Sequence, residues 1–319
     1  MKHLIPALAL SLLPLGAAAL PVTRCVNLGD ALDSPSIEGE WTYVIEQRDI
    51  ALVAQAGFDT IRLPVRFSTR WDGERIDPAF LARVDAVIGM ALDAGLNVIL
   101  DLHHFEDLMT NPDKLSPAFT AIWAALGDHY AGWPDGLIFE LLNEPIEAMT
   151  TARVVPLYQA IIADLRPAHP ERWIIVEGSD AASLAQMRHL PDFGPFTAHS
   201  FHYYDPFEFT HQQLWYDNPP LPARGWTAAT ERAAIIRDFA TVPVDGPPIL
   251  LGEFGTYRDI DPASRANWLK AVRHASEDRG IGWCVWSFAS NFSIVTDDKS
   301  GWLPGILPAL GLESAQTAP

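Results

Sequence analysis

The sequence is short of cations and of cysteine. Its 319 residues carry 22 Lys and Arg against 40 Asp and Glu, a net charge of -18 with histidine neutral. So acidic a chain lacks the basic face that nucleic acid or an anionic membrane surface requires, and neither partner is expected. Two cysteines, Cys25 and Cys284, allow one disulfide at most. Beyond the N-terminus no run reaches the 18 apolar residues of a membrane span. No linker, low-complexity tract or appended module interrupts the chain. No glycine-rich phosphate loop follows the first strand candidate, which argues against a doubly wound nucleotide fold.

What is present describes a globular chain with a sizeable core: 49% hydrophobic residues and 19% charged. Eleven Trp and 26 Pro are both high. Tryptophan fills cores, and it also stacks on the apolar faces of sugars. At the N-terminus a short basic start (Lys2, His3), an apolar run over 4–15 and Ala17-Ala18-Ala19 read as a secretory signal peptide over 1–19. Cys25 lacks a lipoprotein setting. The expectation is an exported protein, secreted or periplasmic, with one domain over 20–319.

Apolar β-branched runs at 25–28, 60–63, 97–102, 137–142, 173–176, 197–201, 249–252 and 282–288 alternate with helix-period segments. Those segments cover 41–55, 78–94, 117–130, 152–168, 181–189, 227–239 and 262–278. Eight strands separated by helices predict an α/β fold, a single (β/α)8 TIM barrel. The strands end in Asn27, Arg62, His103-His104, Asn143-Glu144, Glu177, His202 with Tyr204, Glu253 and Trp286. In a barrel those ends converge on one face, where catalytic groups sit. A loop cap explains one such residue; it does not explain eight.

Glu144 in Leu-Leu-Asn-Glu-Pro and Glu253 in Leu-Leu-Gly-Glu-Phe-Gly leave the fourth and seventh strands, which face each other across a barrel mouth. Cleaving a glycosidic bond takes a proton donor for the leaving oxygen and a second carboxylate on the other side of the sugar. At about 5 Å apart the second attacks directly and configuration is retained. Arg62, inside an apolar strand, needs a carboxylate partner. With the phenol of Tyr204 it is expected to hold Glu253 ionised, while Glu140, by strand alternation, is an inward structural carboxylate.

From about Arg24 to Leu312 the chain resembles glycoside hydrolase family 5, its cellulase branch especially. The resemblance is carried by Val-Asn-Leu-Gly-Asp-Ala-Leu (26–32), Ile-Arg-Leu-Pro (61–64), Leu-Asp-Leu-His-His (100–104), Asn-Glu-Pro (143–145), His-Tyr-Tyr-Asp-Pro-Phe-Glu-Phe-Thr-His-Gln (202–212), Gly-Glu-Phe-Gly (252–255) and Trp-Ser-Phe (286–288). It implies Glu144 as general acid/base and Glu253 as nucleophile. It further implies Asn143 as donor to the sugar 2-hydroxyl, His202 as a partner near the acid/base, and His103 and His104 on the cleft floor. Trp286 becomes the stacking platform at the cleavage point and Trp215 a wall of the same cleft. Asn27 and Asp30 are placed on the glycone side; His211 either contacts substrate or orders its loop. The implied activity is a retaining endo-β-1,4-glucanase acting on β-glucan polysaccharide as a monomer without cofactor. The alternative is a β-mannanase or a broad glucanase, mannanase or xyloglucanase.

Three structural expectations accompany this reading. Adjacent strand residues point to opposite faces, so His103 and His104 make a poor metal pair, and no metal is expected. Trp41, Trp123, Trp173, Trp268 and Trp283 are read as core. Cys25 and Cys284, inward on the first and eighth strands, are read as two buried free thiols, since parallel neighbours rarely hold the Cβ separation of about 3.8 Å that a disulfide needs.

Overall fold

The computed structural model describes residues 19–214 and 218–313. The expected signal peptide up to residue 18, and Trp215, lie outside them. Eight strands run in parallel around a closed barrel: β1 (Arg24–Asn27), β2 (Thr60–Val65), β3 (Asn97–Leu102), β4 (Leu137–Glu140), β5 (Ile174–Glu177), β6 (Thr197–His202), β7 (Ile249–Phe254) and β8 (Gly282–Val285). The expected (β/α)8 barrel is the observed fold. Helices between strands include Gln47–Gln55, Pro78–Asp93, Pro112–His129, Thr151–Leu165, Ala228–Phe239 and Pro262–Glu277. Two begin alike, with Asp77 and Asp261 accepting the Phe80 and Ser264 amides at 2.8 Å before Pro78 and Pro262. Among the described residues no helix is long and apolar enough to cross a membrane.

Period-2 alternation builds the interior in layers. Cys25, Ile99, Ile138, Ile175, Ala198, Leu250 and Cys284 fill the lower lumen as one apolar cluster, which Trp173 joins at its base. Their neighbours Val26, Val98, Leu100, Phe139, Val176 and Val285 belong to the outer core beneath the helices. Two residues further along each strand the lumen turns polar: Asn27, Arg62, Asp101, Glu140, Glu177 and Ser200 are all fully buried. Trp123, Trp268 and Trp283 are core residues, each 0% exposed.

Two expectations fail here. Cys25 and Cys284 are joined in a disulfide, not free. The register that closes the barrel sets them opposite each other on β1 and β8, with Cα atoms 4.1 Å apart, so both side chains enter the lumen side by side. Trp41 is not in a helix. The helix starts at Gln47, where the Asp49 carboxylate accepts the Glu46 amide at 2.9 Å, and 28–46 is left as a long loop over the barrel mouth.

Candidate active site

The β-strand ends surround a cavity of about 1010 Å³ at the C-terminal face. Its walls include Glu144, Glu253, His103, His202, Tyr204 and Trp286. The floor is organised by Arg62, which is 0% exposed. Its Nε and Nη2 grip Glu140 at 2.7 and 3.0 Å; Nη2 also donates to Asn143 at 2.8 Å and faces Asp101 at 3.1 Å. Nη1 donates to Asn27 at 3.0 Å and to Glu253 at 2.8 Å. Burial opposes the guanidinium charge, but Asp101, Glu140 and Glu253 overcome it and hold Arg62 firmly protonated. An unpaired charge at this depth would be prohibitive, so the cation and its acceptors stand or fall together.

Glu253 takes the Arg62 bond on one oxygen and the Tyr204 hydroxyl on the other, at 2.8 Å. Burial raises its carboxyl above the ordinary value; His202 and Arg62 pull the other way without cancelling the rise. Glu144 follows β4 in the left-handed region, φ 45°. Such a conformation costs about 1–3 kcal/mol for a non-glycine residue. It is held from below: the Glu177 carboxylate accepts the Glu144 amide at 2.7 Å. His202 bridges the two glutamates, with Nδ1 2.8 Å from Glu144 and 3.6 Å from Glu253. Carboxylate oxygens of Glu144 and Glu253 approach within 4.8 Å.

The four histidines of this cavity differ in charge. His202 is buried, which disfavours its proton, but Glu177 at 2.9 Å from Nε2, then Glu253, keep it well above the usual imidazole range. In turn, against the effect of burial, His202 draws Glu177 down to about 2. Burial pushes His103 well down and His104 and His211 to about 4, so these three are neutral at pH 7. His103 Nδ1 lies 2.5 Å from Asp101, whose carboxyl burial raises well above normal, and its ring stacks on Trp286 at 5.8 Å. Gly29 makes room for that indole: a Cβ there would collide with the Trp286 ring.

Of the residues singled out in the sequence, Asp30, His103, His104, Glu144, His202, Tyr204, His211, Glu253 and Trp286 line the cavity. Asn27 and Arg62 do not reach it. Both are 0% exposed, and Asn27 spends its amide on the Gly252 carbonyl and its oxygen on Arg62, so its place is under the floor, not on the glycone wall. Asn143 sits just beside the mouth, 6% exposed and bonded to Arg62. The alternation argument for His103 and His104 does not apply: β3 stops at Leu102, His104 turns left-handed (φ 53°), and both rings face the cavity with centroids 4.4 Å apart. Asp33, His103 and His104 form one of three His and carboxylate groups whose geometry could hold an ion among the described residues. In the other two His202 is common, and both its nitrogens already face carboxylates.

Three contributors, Trp41, Phe207 and Asp101, were not anticipated, and a fourth, Glu177, was seen only as a polar strand end. Trp41 lines the cavity instead of the core, with the Arg66 guanidinium 5.6 Å from its ring and His104 edge-on at 5.8 Å. Phe207 lines the cavity although it is 53% exposed. Asp101 and Glu177 complete the buried polar layer; Asp101 pairs in register with Glu140, a clue that strand alternation holds once the barrel is known.

Residues 28–292 match the family Cellulase (glycosyl hydrolase family 5). Endoglucanase H of Acetivibrio thermocellus is 29% identical over 275 residues, covering 82% of this chain; the chain spans only 29% of that larger protein. A hyperthermophilic endo-β-1,4-glucanase solved with substrate superposes with a TM-score of 0.87 at 34% identity, over 91% of this chain and 97% of its own. Thermotoga maritima Cel5A solved with mannotriose superposes with a TM-score of 0.86 at 31% identity, over 91% and 97%.

Proposed function

The chain belongs to the cellulases of glycosyl hydrolase family 5 and is a glycoside hydrolase, and on that premise we propose that it is a retaining endo-β-1,4-glucanase. One observation carries the reading: a carboxylate oxygen of Glu144 and one of Glu253 lie within 4.8 Å of each other across an open cavity. Retaining enzymes hold their carboxyls about 5–5.5 Å apart and inverting ones roughly 6.5–9.5 Å, to seat a water; oxygens this close favour the retaining arrangement. Glu253 attacks the anomeric carbon while Glu144 protonates the departing glycosidic oxygen, leaving a glycosyl ester on Glu253. Glu144, now ionised, takes a proton from the water that hydrolyses that ester, and both groups return to their first states. Arg62 and Tyr204 aim and hold the nucleophile; His202 orients the acid/base. Asn143, locked by Arg62, presents its amide to the sugar 2-hydroxyl, and Trp286 supports the ring that reacts. His103, His104, Asp30 and His211 serve as contacts along the chain.

The substrate is a β-glucan polysaccharide, and the enzyme acts as a monomer, exported by the N-terminal signal. The buried Cys25–Cys284 disulfide favours an oxidising compartment. A second reading, activity on mannans, is favoured by the likeness to a protein solved with mannotriose.

Reducing-sugar release from carboxymethyl-cellulose, mixed-linkage glucan, xyloglucan and glucomannan, with Glu253→Ala as control, tests both readings. Release from the glucans, lost in the variant and partly restored by azide on an aryl cellobioside, is expected. Release from glucomannan alone favours the mannanase; silence from folded protein on all four overturns both.

A further inference from the structure

Beneath the cavity the described residues place four buried carboxyls, Asp101, Glu140, Glu177 and Glu253, against two cations, Arg62 and His202. Fully ionised, this floor would hold two more negative charges than positive ones away from water. Buried groups avoid that cost by retaining protons. The reaction makes use of Glu253 directly and of Glu177 through His202; it leaves Glu140 no task beyond its grip on Arg62.

Glu140 and Glu177 meet in the lumen. Glu140 on β4 is in register with Ile175 on β5, two residues before Glu177, so strand alternation sends both side chains inward. Oxygens of the two, with a nitrogen of His202, lie within 4.8 Å of one another, and the carboxyls are hydrogen-bonded to each other. Ionised carboxylates only accept, so a bond between two of them takes one proton. The remaining partners say where it sits. Glu177 accepts the Glu144 amide at 2.7 Å and the Ser200 hydroxyl at 3.0 Å, with the His202 imidazolium at 2.9 Å. A group facing three donors, one of them a cation, is the anion of the pair, and the proton belongs to Glu140. Burial lifts the Glu140 carboxyl to about 7, with Glu177 adding to the rise and Arg62 opposing it. The other groups facing Glu140 leave this unchanged: Asp101, in register beside it, is itself raised well above normal by burial, and burial keeps the Tyr158 phenol protonated.

The pair joins the two halves of the site. On one side Glu140 carries Arg62, which holds Glu253 at 2.8 Å and Asn143 at 2.8 Å. On the other, Glu177 carries His202 and the left-handed backbone of Glu144. Between the two supports lies the one shared proton.

We propose that Glu140 is a positioning residue that works as a neutral carboxylic acid: its O–H donates to the Glu177 carboxylate and clamps the support of the nucleophile to the support of the acid/base. A carboxyl gripped by arginine is ordinarily an anion; here a second anion against Glu177 in a dry lumen would push the two supports apart. The proposal rests on the glucanase reading for the roles of Glu144 and Glu253.

Glutamine at position 140 reproduces the neutral acid, with an N–H for Glu177 and a carbonyl for Arg62, and it cannot ionise. Wild type, Glu140→Gln and Glu140→Ala are compared by difference infrared spectroscopy, thermal melting and kcat/KM on carboxymethyl-cellulose. At about pH 6 the wild type is expected to show a protonated-carboxyl C=O band that Glu140→Gln lacks. The folded chain keeps the Glu140 proton up to about 7 and the unfolded chain only to the ordinary 4.5, so stability from this group is full below 4.5 and is lost as pH rises between those values. The melting-temperature difference is therefore expected to move in favour of Glu140→Gln by several degrees from about pH 4 to about pH 8. In kcat/KM, Glu140→Ala is expected to fall about a hundredfold and Glu140→Gln to recover to within about threefold of wild type. A band that survives in Glu140→Gln, or a melting difference that moves against it with rising pH, makes Glu140 an ionised partner of Arg62 and overturns the proposal. A folded Glu140→Gln as slow as the alanine variant overturns the positioning role. The infrared and melting measurements need no turnover: a wild type that shows the band yet is inert on glucan overturns the glucanase reading and leaves the shared proton in place.

Discussion

At the scale of the residue, Arg62 decides how the site is built. One guanidinium, wholly out of water, is shared among Asn27, Asp101, Glu140, Asn143 and Glu253, and so fixes Glu253 relative to Asn143, the neighbour of Glu144. The sequence required a carboxylate partner for it and named Glu253; the further acceptors follow from the barrel register, which single residues do not announce. His202 is the other cation of the floor, held charged by Glu177, whose carboxylate also secures the strained Glu144 backbone. Glu177 was legible only as a polar strand end, because its work is done through others. The same electrostatics fix a pH dependence. Burial lifts Glu253 above the usual carboxylate value of 4.5, and the proposed attack needs it ionised, so the acid limb of kcat/KM is expected above that value. The Tyr204 hydroxyl stabilises the anion. Its removal in Tyr204→Phe raises the folded-state pKa and moves the limb to higher pH, by about half a unit to one unit. A limb that stays or moves acidward would show that Tyr204 does not hold the nucleophile. The limb belongs to a coupled cluster, so the shift between the two profiles is the quantity that reads the bond.

At the scale of the element, the strands were readable and their closure was not. Each of the eight carries a short apolar run bounded by turn residues, and each was placed within a few residues. Helix starts were less visible. The apolar rhythm of 41–55 continues through Trp41, Tyr43 and Ile45, yet Asp49 caps the helix at Gln47 and frees Trp41 for the cavity. The cysteines failed for a related reason: a general rule about parallel neighbours was applied where the particular register of β1 on β8 brings two lumen positions abreast. Their bond ties the first strand to the last across 259 residues of sequence. A cross-link over so long a loop removes much freedom from the unfolded chain. Replacing both cysteines by alanine is expected to lower stability by roughly 2–4 kcal/mol, several degrees in melting temperature, with the site geometry kept. Equal melting points for the oxidised protein and the double variant would show that the disulfide adds nothing to closure.

At the scale of the whole molecule, the barrel divides its labour along its axis. Apolar residues and the disulfide pack the lower lumen, a buried polar layer centred on Arg62 lies above, and the mouth presents the glutamates in a cavity that Trp41 and Phe207 also line. An acidic molecule of net charge -18 suits an uncharged polymer, which is held by stacking and hydrogen bonds and not by counter-ions. The central claim is that Glu253 becomes covalently glycosylated during turnover. Incubation with an activated 2-deoxy-2-fluoro cellobioside, followed by intact mass and peptide mass spectrometry, tests it directly. The account predicts an inactive enzyme heavier by one fluorocellobiosyl group, with the label on the peptide carrying Glu253. A label on another residue, or an enzyme that cleaves glucan yet never accumulates an adduct and releases product of inverted configuration, would contradict it.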